Sequence, residues 1–445
     1  MKSENIAAIS TAAGPAGVAV IRISGDSPLS VAEKIFKPAG KVKVKDFTPN
    51  VMYAGEILAD GFSDFGLCVF FKAPKSFTGE DTVEFHTHGG VAITRGVLKK
   101  ILSSGARIAA NGEFTKRAFL NGKLSLASAE GLIDMINAES VSAARAGYSL
   151  YRERLTKKVA AMQEELTAAL SAIDADMDFP EEGLDEVSRE EIRGILRGVI
   201  DETERLISTF RVGSALKNGV KAAICGKPNT GKSSILNGLL NCDKAIVSDI
   251  AGTTRDVVEG SIDINGVRFN FYDTAGIRDS EDEIENLGVA LSKKTLKSAD
   301  IVIFVVEEGN IDDEDEEVYD LIKDLNVLKV VNKIDLRSER TEPADVYVSA
   351  KTGEGFTELC EKIFEKTVGG ADYADGEFLC EERHLDALKR AAESLKAAEV
   401  VSETAELGVI AIDIRAGWRA LGEISGETSD EAIIDEIFKR FCVGK

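Results

Sequence analysis

The stretch "GVKAAICGKPNTGKSS" at 219–234 constrains the fold more than any other part of the chain. A short apolar strand runs into a loop with Gly226 and Gly231, and Lys232 and Ser233 follow, which satisfies G-x-x-x-x-G-K-[ST]. Such a loop works between a buried strand and a helix start, because backbone N–H groups and the helix N-terminus together cradle phosphate oxygens. The flanking sequence agrees, since "ADIVIFVV" (299–306) and "VLKVVNK" (327–333) are near-continuous apolar runs of the kind buried in a parallel sheet. An α/β nucleotide-binding block is expected over 213–370.

Within that block the side chains specify the nucleotide. Asn229, Thr230, Gly231, Lys232, Ser233 and Ser234 form the phosphate loop, with Lys232 expected on the β- and γ-oxygens and Ser233 on Mg²⁺. "DTAG" (Asp273, Thr274, Ala275, Gly276) ends the strand-like "RFNFYD", where Asp273 can hold the Mg²⁺ shell and the Gly276 N–H can meet the γ-phosphate. "NKID" supplies Asn332, Lys333 and Asp335, and "SAKTG" supplies Ser349, Ala350 and Lys351. The Asp335 carboxylate can accept two hydrogen bonds from the guanine edge, a donor pair adenine lacks, so the expected nucleotide is GTP. "SDIAGTTRD" adds Ser248, Asp249, Ile250, Ala251, Gly252, Thr253 and Thr254 as a switch loop, with Thr254 the expected second Mg²⁺ ligand. The residue after Gly276 is Ile277, which has no hydrogen-bonding group to orient an attacking water. Either this chain hydrolyses nothing, or another part of it supplies the catalytic electrostatics.

Outside the block the patterning changes twice. Residues 1–118 read as an α+β domain: "GVAVIRISG" (17–25), "GLCVFFKAP" (66–74) and "DTVEFHTHGG" (81–90) are strand-like, and "VAITRGVLKKILSSG" (91–105) is helical and stops on Gly105. Residues 119–212 are Ala-rich with apolar positions every three or four residues, which predicts long helices. Helical pattern returns over 371–445, with Thr428 and Glu431 spaced as a capping box before the last helix. The fold class is therefore multidomain, with an α/β block inserted into one helical domain. The chain is 445 residues long and shows no ~20-residue uncharged apolar span and no signal-peptide pattern, so a cytoplasmic location is expected.

Six cysteines without a C-x-x-C pair argue against a zinc ribbon or a disulfide framework. A net charge of −22 points to a partner protein or restricted basic strips for any nucleic-acid contact. The acidic "IDDEDEEVYD" (311–320) reads as a solvated helix face, while "RAGYSLYRERLTKK" (145–158) is locally basic. His86 and His88 would lie on the same side of an extended strand, where packing or site polarity is preferred to a metal.

Taken together, "GKPNTGKSS", "AIVSDIAGTTRD", "DTAGIR", "IAAISTAAGPAGVAVIRISG", "SFTGEDTVEFHTHGG", "FLNGKLSLASAE" and the terminal "FCVGK" closely resemble the MnmE (TrmE) family of tRNA modification GTPases over the whole length. The resemblance implies a homodimer with a tetrahydrofolate-binding α+β N-terminal domain, a helical domain and an inserted Ras-like P-loop GTPase domain. It also implies an FAD-dependent MnmG (GidA) partner, a tRNA substrate and an aminomethyl or carboxymethylaminomethyl group added to C5 of the wobble uridine. By matching motif, Arg22, Glu84, Lys123 and Lys445 correspond to the family's folate pocket, Cys442 to its essential cysteine and Glu285 to its water-positioning glutamate. Potassium would take the place of an arginine finger, held by Asn229, Ser248, Ile250 and Thr253; Ser248 stands where Thr is expected.

Each of these positions has a plainer reading: a turn residue for Asn229, a solvated charge for Glu285, a small buried hydrophobe for Cys442 and surface or structural charges for the folate set. The competing function is a GTP-regulated assembly or ribosome-associated switch without modification chemistry. Residues 1–118 and "FCVGK" discriminate, because a pure switch needs neither.

Overall fold

The computed structural model describes residues 3–178, 189–241, 260–273, 296, 298–336, 343–369 and 378–444. The chain divides into two compact units, one formed by Met1–Ile133, Tyr151–Glu164 and Trp418–Lys445, the other by Asp134–Leu150 and Glu165–Gly417. Among the described residues no helix is long and apolar enough to cross a membrane.

The first unit is built on strands β1 (Ile6–Ile9), β2 (Ala19–Gly25), β3 (Phe36–Pro38), β4 (Met52–Leu58), β5 (Ser63–Phe71), β6 (Asp81–Thr87) and β7 (Arg107–Ile108). Their order in the sheet is β3-β4-β5-β6-β2-β1-β7, antiparallel except where β7 runs parallel to β1. Because side chains alternate along a strand, each strand serves two layers. Ala7, Ile21, Ile23 and Phe85 are fully buried in the core that also takes Val31 and Ile35 of the helix Pro28–Ile35 and Val97 and Ile101 of the helix Val91–Ser103. A second apolar cluster is formed by Ile6, Ala8, Ala109 and Phe114, with Phe77 packed on it, and beside it stand Arg22 and Glu84, paired across β2 and β6. The terminal helix Glu431–Lys439 closes the unit, its Phe438 packed at a tilt against Phe119 of the helix Glu113–Leu120, 6.0 Å between ring centroids. That terminal helix has Asp430 at its N-cap and no side-chain cap bond, and the Thr428 hydroxyl donates instead to Arg419 O at 2.6 Å. The expected capping box is therefore not formed.

The second unit carries β8 (Val220–Cys225), β9 (Gly260–Ile264), β10 (Val267–Asp273), β11 (Ile301–Glu307), β12 (Val327–Asn332) and β13 (Val346–Tyr347) in the order β13-β12-β11-β8-β10-β9. All neighbours are parallel except the β9–β10 hairpin, whose turn residues Asn265 and Gly266 have φ of 54° and 84°, as a two-residue turn of this hand requires. After β8 the chain supplies β9 and β10 on one side and β11 to β13 on the other, so the crevice beyond the C-terminal end of β8 is the switch point where such sheets bind ligands. One face of the sheet is packed by the helices Lys232–Leu240 and Phe356–Thr367, and Ile322 of the helix Asp313–Ile322 joins the core on the other.

Helices from before and after this block meet within the same unit. Arg189–Ser208 and Glu382–Val401 are joined by Arg197–Glu399 at 2.7 Å, Arg193–Glu399 at 3.9 Å and the pair Lys396–Glu204. The α/β block is thus inserted between two helices that pack on each other.

Candidate functional site

The loop after β8 is shaped by close backbone approach. Gly226, at φ 142°, passes so near β11 that a Cβ would lie 2.2 Å from Val305 O; Gly231, at φ 95°, would place one 2.3 Å from Asn332 Nδ2. At Gly226 the obstacle is backbone, and at both positions the positive φ disfavours any side chain. Between them Asn229 also has positive φ, 63°. Lys232, the first residue of the helix, is buried and donates to Gly226 O at 3.0 Å and Lys227 O at 2.7 Å, and Thr230 Oγ1 donates to Lys227 O at 2.9 Å. Ser233 and Ser234 follow in the first turn, where the helix dipole favours an anion.

Asn332 joins this loop to the Ser349–Ala350 segment. Its Nδ2 donates to Thr230 O at 2.8 Å, and its Oδ1 accepts from Ala350 N at 3.0 Å. Ser349, fully buried, donates from Oγ to Asp335 Oδ1 at 2.7 Å, while Asp335 itself is exposed. Lys333 has φ 65° and pairs with Glu307 at 2.7 Å. Register places Asp273 beside Ile224, so β10 ends at the edge of the sheet that carries the loop. The structure thus gathers Asn229 to Ser234, Asp273, Asn332, Lys333, Asp335, Ser349 and Ala350 at one end of one sheet, with Lys351 next in the chain.

Two residues were not legible in the sequence as part of this region. Lys227 Nζ lies 2.6 Å from Asp312 and 2.7 Å from Asp315, and the Asp315 side chain is only 1% exposed. The acidic run is therefore not simply a solvated face. Nothing local signals this, since the pairing joins a loop to a helix start far along the chain.

In the first unit Arg22 Nε donates to Glu84 Oε1 at 2.7 Å, and the guanidinium lies over the rings of Phe77 at 5.2 Å and Phe114 at 5.7 Å. His86 Nε2 is 3.6 Å from Glu84 Oε2, too long for a hydrogen bond, and has no hydrogen-bond partner. Burial pushes the Glu84 carboxyl upward, but His86 and Arg22 beside it outweigh burial and hold it below the usual range. Lys123 Nζ donates to Pro74 O at 3.0 Å, on the segment that carries Phe77. His88 turns away to Asp64 at 2.7 Å, because β6 ends at Thr87 and the strand alternation ends with it. Among the described residues no group of three or more His, Cys, Asp or Glu could hold a metal.

Cys442 belongs to the same unit. Phe441 is buried against Phe438, Asn111 bridges Val443, Gly112 N donates to Cys442 O at 3.5 Å, and a Cβ on Gly444 would meet Ile9 O at 2.2 Å. The chain is thereby pinned on both sides of an exposed thiol, which excludes the buried-hydrophobe reading. Burial pushes the Cys225 thiol up to about 12, and Cys380 likewise to about 12, so those two are poor nucleophiles. Glu285, Ser248, Asp249, Ile250, Ala251, Gly252, Thr253, Thr254, Thr274, Ala275, Gly276, Cys242, Ile277 and Lys445 lie outside the described residues.

Comparison with known proteins identifies the family. Residues 5–123 match the family described as "GTP-binding protein TrmE N-terminus", and residues 126–442 match "MnmE helical domain". The tRNA modification GTPase MnmE of Thermoanaerobacter pseudethanolicus is 37% identical and that of Symbiobacterium thermophilum 39% identical, each over 100% of this chain and 100% of the relative. Among solved structures, Aquifex aeolicus Era bound to GDP.AlF4- aligns at 31% identity over 39% of this chain and 66% of that one, with a TM-score of 0.27. The chain belongs to the MnmE (TrmE) family of tRNA modification GTPases, and it is a GTP hydrolase acting in tRNA modification.

Proposed function

We propose that this GTPase is activated by potassium and, with an FAD-dependent partner of the MnmG (GidA) type, adds an aminomethyl or carboxymethylaminomethyl group to C5 of the wobble uridine of certain tRNAs, using a tetrahydrofolate one-carbon unit. The observation that carries the GTP half is the Asn332 side chain, which ties the phosphate loop to the Ala350 segment beside Asp335. Asp335 would accept from the guanine edge while Ser349 holds its other oxygen. Lys232 would exchange its loop carbonyls for β- and γ-oxygens, and Ser233 with Thr254 would hold Mg²⁺.

Hydrolysis needs a substitute for the water-orienting side chain that Ile277 lacks. Potassium held by Asn229, Ser248, Ile250 and Thr253 would supply positive charge against the transferring phosphoryl group. Glu285 would orient the water. In the first unit Glu84 suits the donors of a pterin, and Arg22, Lys123 and Lys445 suit the carboxylates of a glutamate tail. Cys442 is the candidate for chemistry on the one-carbon unit. A homodimer through residues 1–118, a higher complex with the partner and a cytoplasmic location complete the reading.

The test is GTP turnover at saturating substrate with KCl replaced by NaCl at equal ionic strength. We expect kcat to fall at least tenfold, about 1.4 kcal/mol of barrier. Equal turnover in the two salts would remove potassium from the mechanism.

A further inference from the structure

We propose that Lys227 with Asp312 and Asp315 forms an ion-pair latch that positions the phosphate loop, so that Asp315 is a positioning residue for GTP hydrolysis. Lys227 lies inside the loop, yet its ammonium is paired with two carboxylates of another element. It leaves the loop to meet Asp312 at 2.6 Å and Asp315 at 2.7 Å, with its side chain only 12% exposed. The main chain of the same residue does the opposite job, because Lys227 O accepts both Lys232 Nζ and Thr230 Oγ1. Where the latch fixes Lys227, it fixes the carbonyl on which the phosphate-binding ammonium rests.

The acidic side of the latch is itself rigid. Asp312 is the N-cap of the helix Asp313–Ile322, accepting from Glu314 N at 3.1 Å, and Asp315 accepts from Asp312 N at 3.3 Å to close a capping box. Asp315 Oδ1 is buried without a hydrogen-bond partner. A buried carboxylate so placed depends on its cation, and removing one partner of such a pair is far worse than removing both. The capping box accounts for the bond from Asp312 N to Asp315, but not for the Lys227 ammonium held on the same carboxylate.

The test uses the full chain with Asp315→Asn, Lys227→Met, the double variant and Lys227→Arg, measured for GTP kcat and KM, release of a fluorescent GDP analogue and thermal melting. We expect each single neutralising change to lower kcat/KM about tenfold and to speed GDP release. The double variant should be no worse than the worse single one, and Lys227→Arg should stay within threefold of the parent. The latch is refuted if the two losses multiply, or if Lys227→Met leaves kcat/KM and GDP release unchanged. Should Asp315→Asn fail to fold, Lys227→Met against Lys227→Arg decides alone: loss with rescue supports the latch, and equal behaviour overturns it.

Discussion

Ser349 Oγ holds Asp335 Oδ1 at 2.7 Å, and one residue further on Ala350 N holds Asn332 Oδ1 at 3.0 Å. One short loop therefore aligns both the Asp335 carboxylate and the side chain that reaches the phosphate loop. Asp335→Asn replaces an acceptor with a group that offers donors to the base edge. We expect GTP affinity to fall at least tenfold and xanthosine triphosphate affinity to rise. Equilibrium titration giving unchanged GTP affinity would contradict the assignment.

Cys442 is exposed between anchored neighbours, in a different compact unit from the phosphate loop. Cys442→Ser should keep GTP turnover within about threefold of the parent, since no GTP motif lies in its unit, and should abolish tRNA modification in a reconstituted mixture. A variant that still modifies tRNA would reduce Cys442 to a surface thiol.

Asp134 shares Lys217 with Glu381, at 2.8 Å on its own side. Burial, and then the Glu381 charge, raise its carboxyl to about 7 from an ordinary 3.8. A carboxyl raised in the folded state favours folding most below its unfolded value, and that contribution is lost as pH rises toward about 7. Lys217 is held above its ordinary 10.5 by the two carboxylates against the opposing effect of burial, so its contribution does not change over this window. Asp134→Asn should therefore gain stability relative to the parent as pH is raised from 5 to 8, read as a widening difference in Tm. A difference that stays constant with pH would place the proton elsewhere.

Asn229 sits at φ 63°, so glycine can replace its backbone role while deleting its side-chain oxygen. Asn229→Gly should lose the response to potassium, its turnover in KCl falling to the value in NaCl. Retained potassium stimulation would exclude Asn229 as a ligand.

Much of this was legible in the sequence where one physical rule acts alone. β2, β6 and the helix Val91–Ser103 follow from β-branched patterning and helical spacing, and the phosphate loop follows from two glycines at positive φ, Gly226 against the backbone of β11 and Gly231 against the Asn332 side chain. β1 and β4 are not legible, because "IAAI" and "MYAGEIL" carry little patterning of their own and are strands through their partners. The terminal capping box failed because Thr428 found Arg419 O instead. Asp315 looked like one of many surface acids, since only the fold brings it to Lys227.

The most direct measurement is mass spectrometry of wobble nucleosides in tRNA from cells lacking this protein, with and without the gene restored. Aminomethyl-type C5 groups should disappear from wobble uridines in the deletion and return with the parent gene, but not with Cys442→Ser. Wobble uridines that keep these groups in the deletion strain would contradict it.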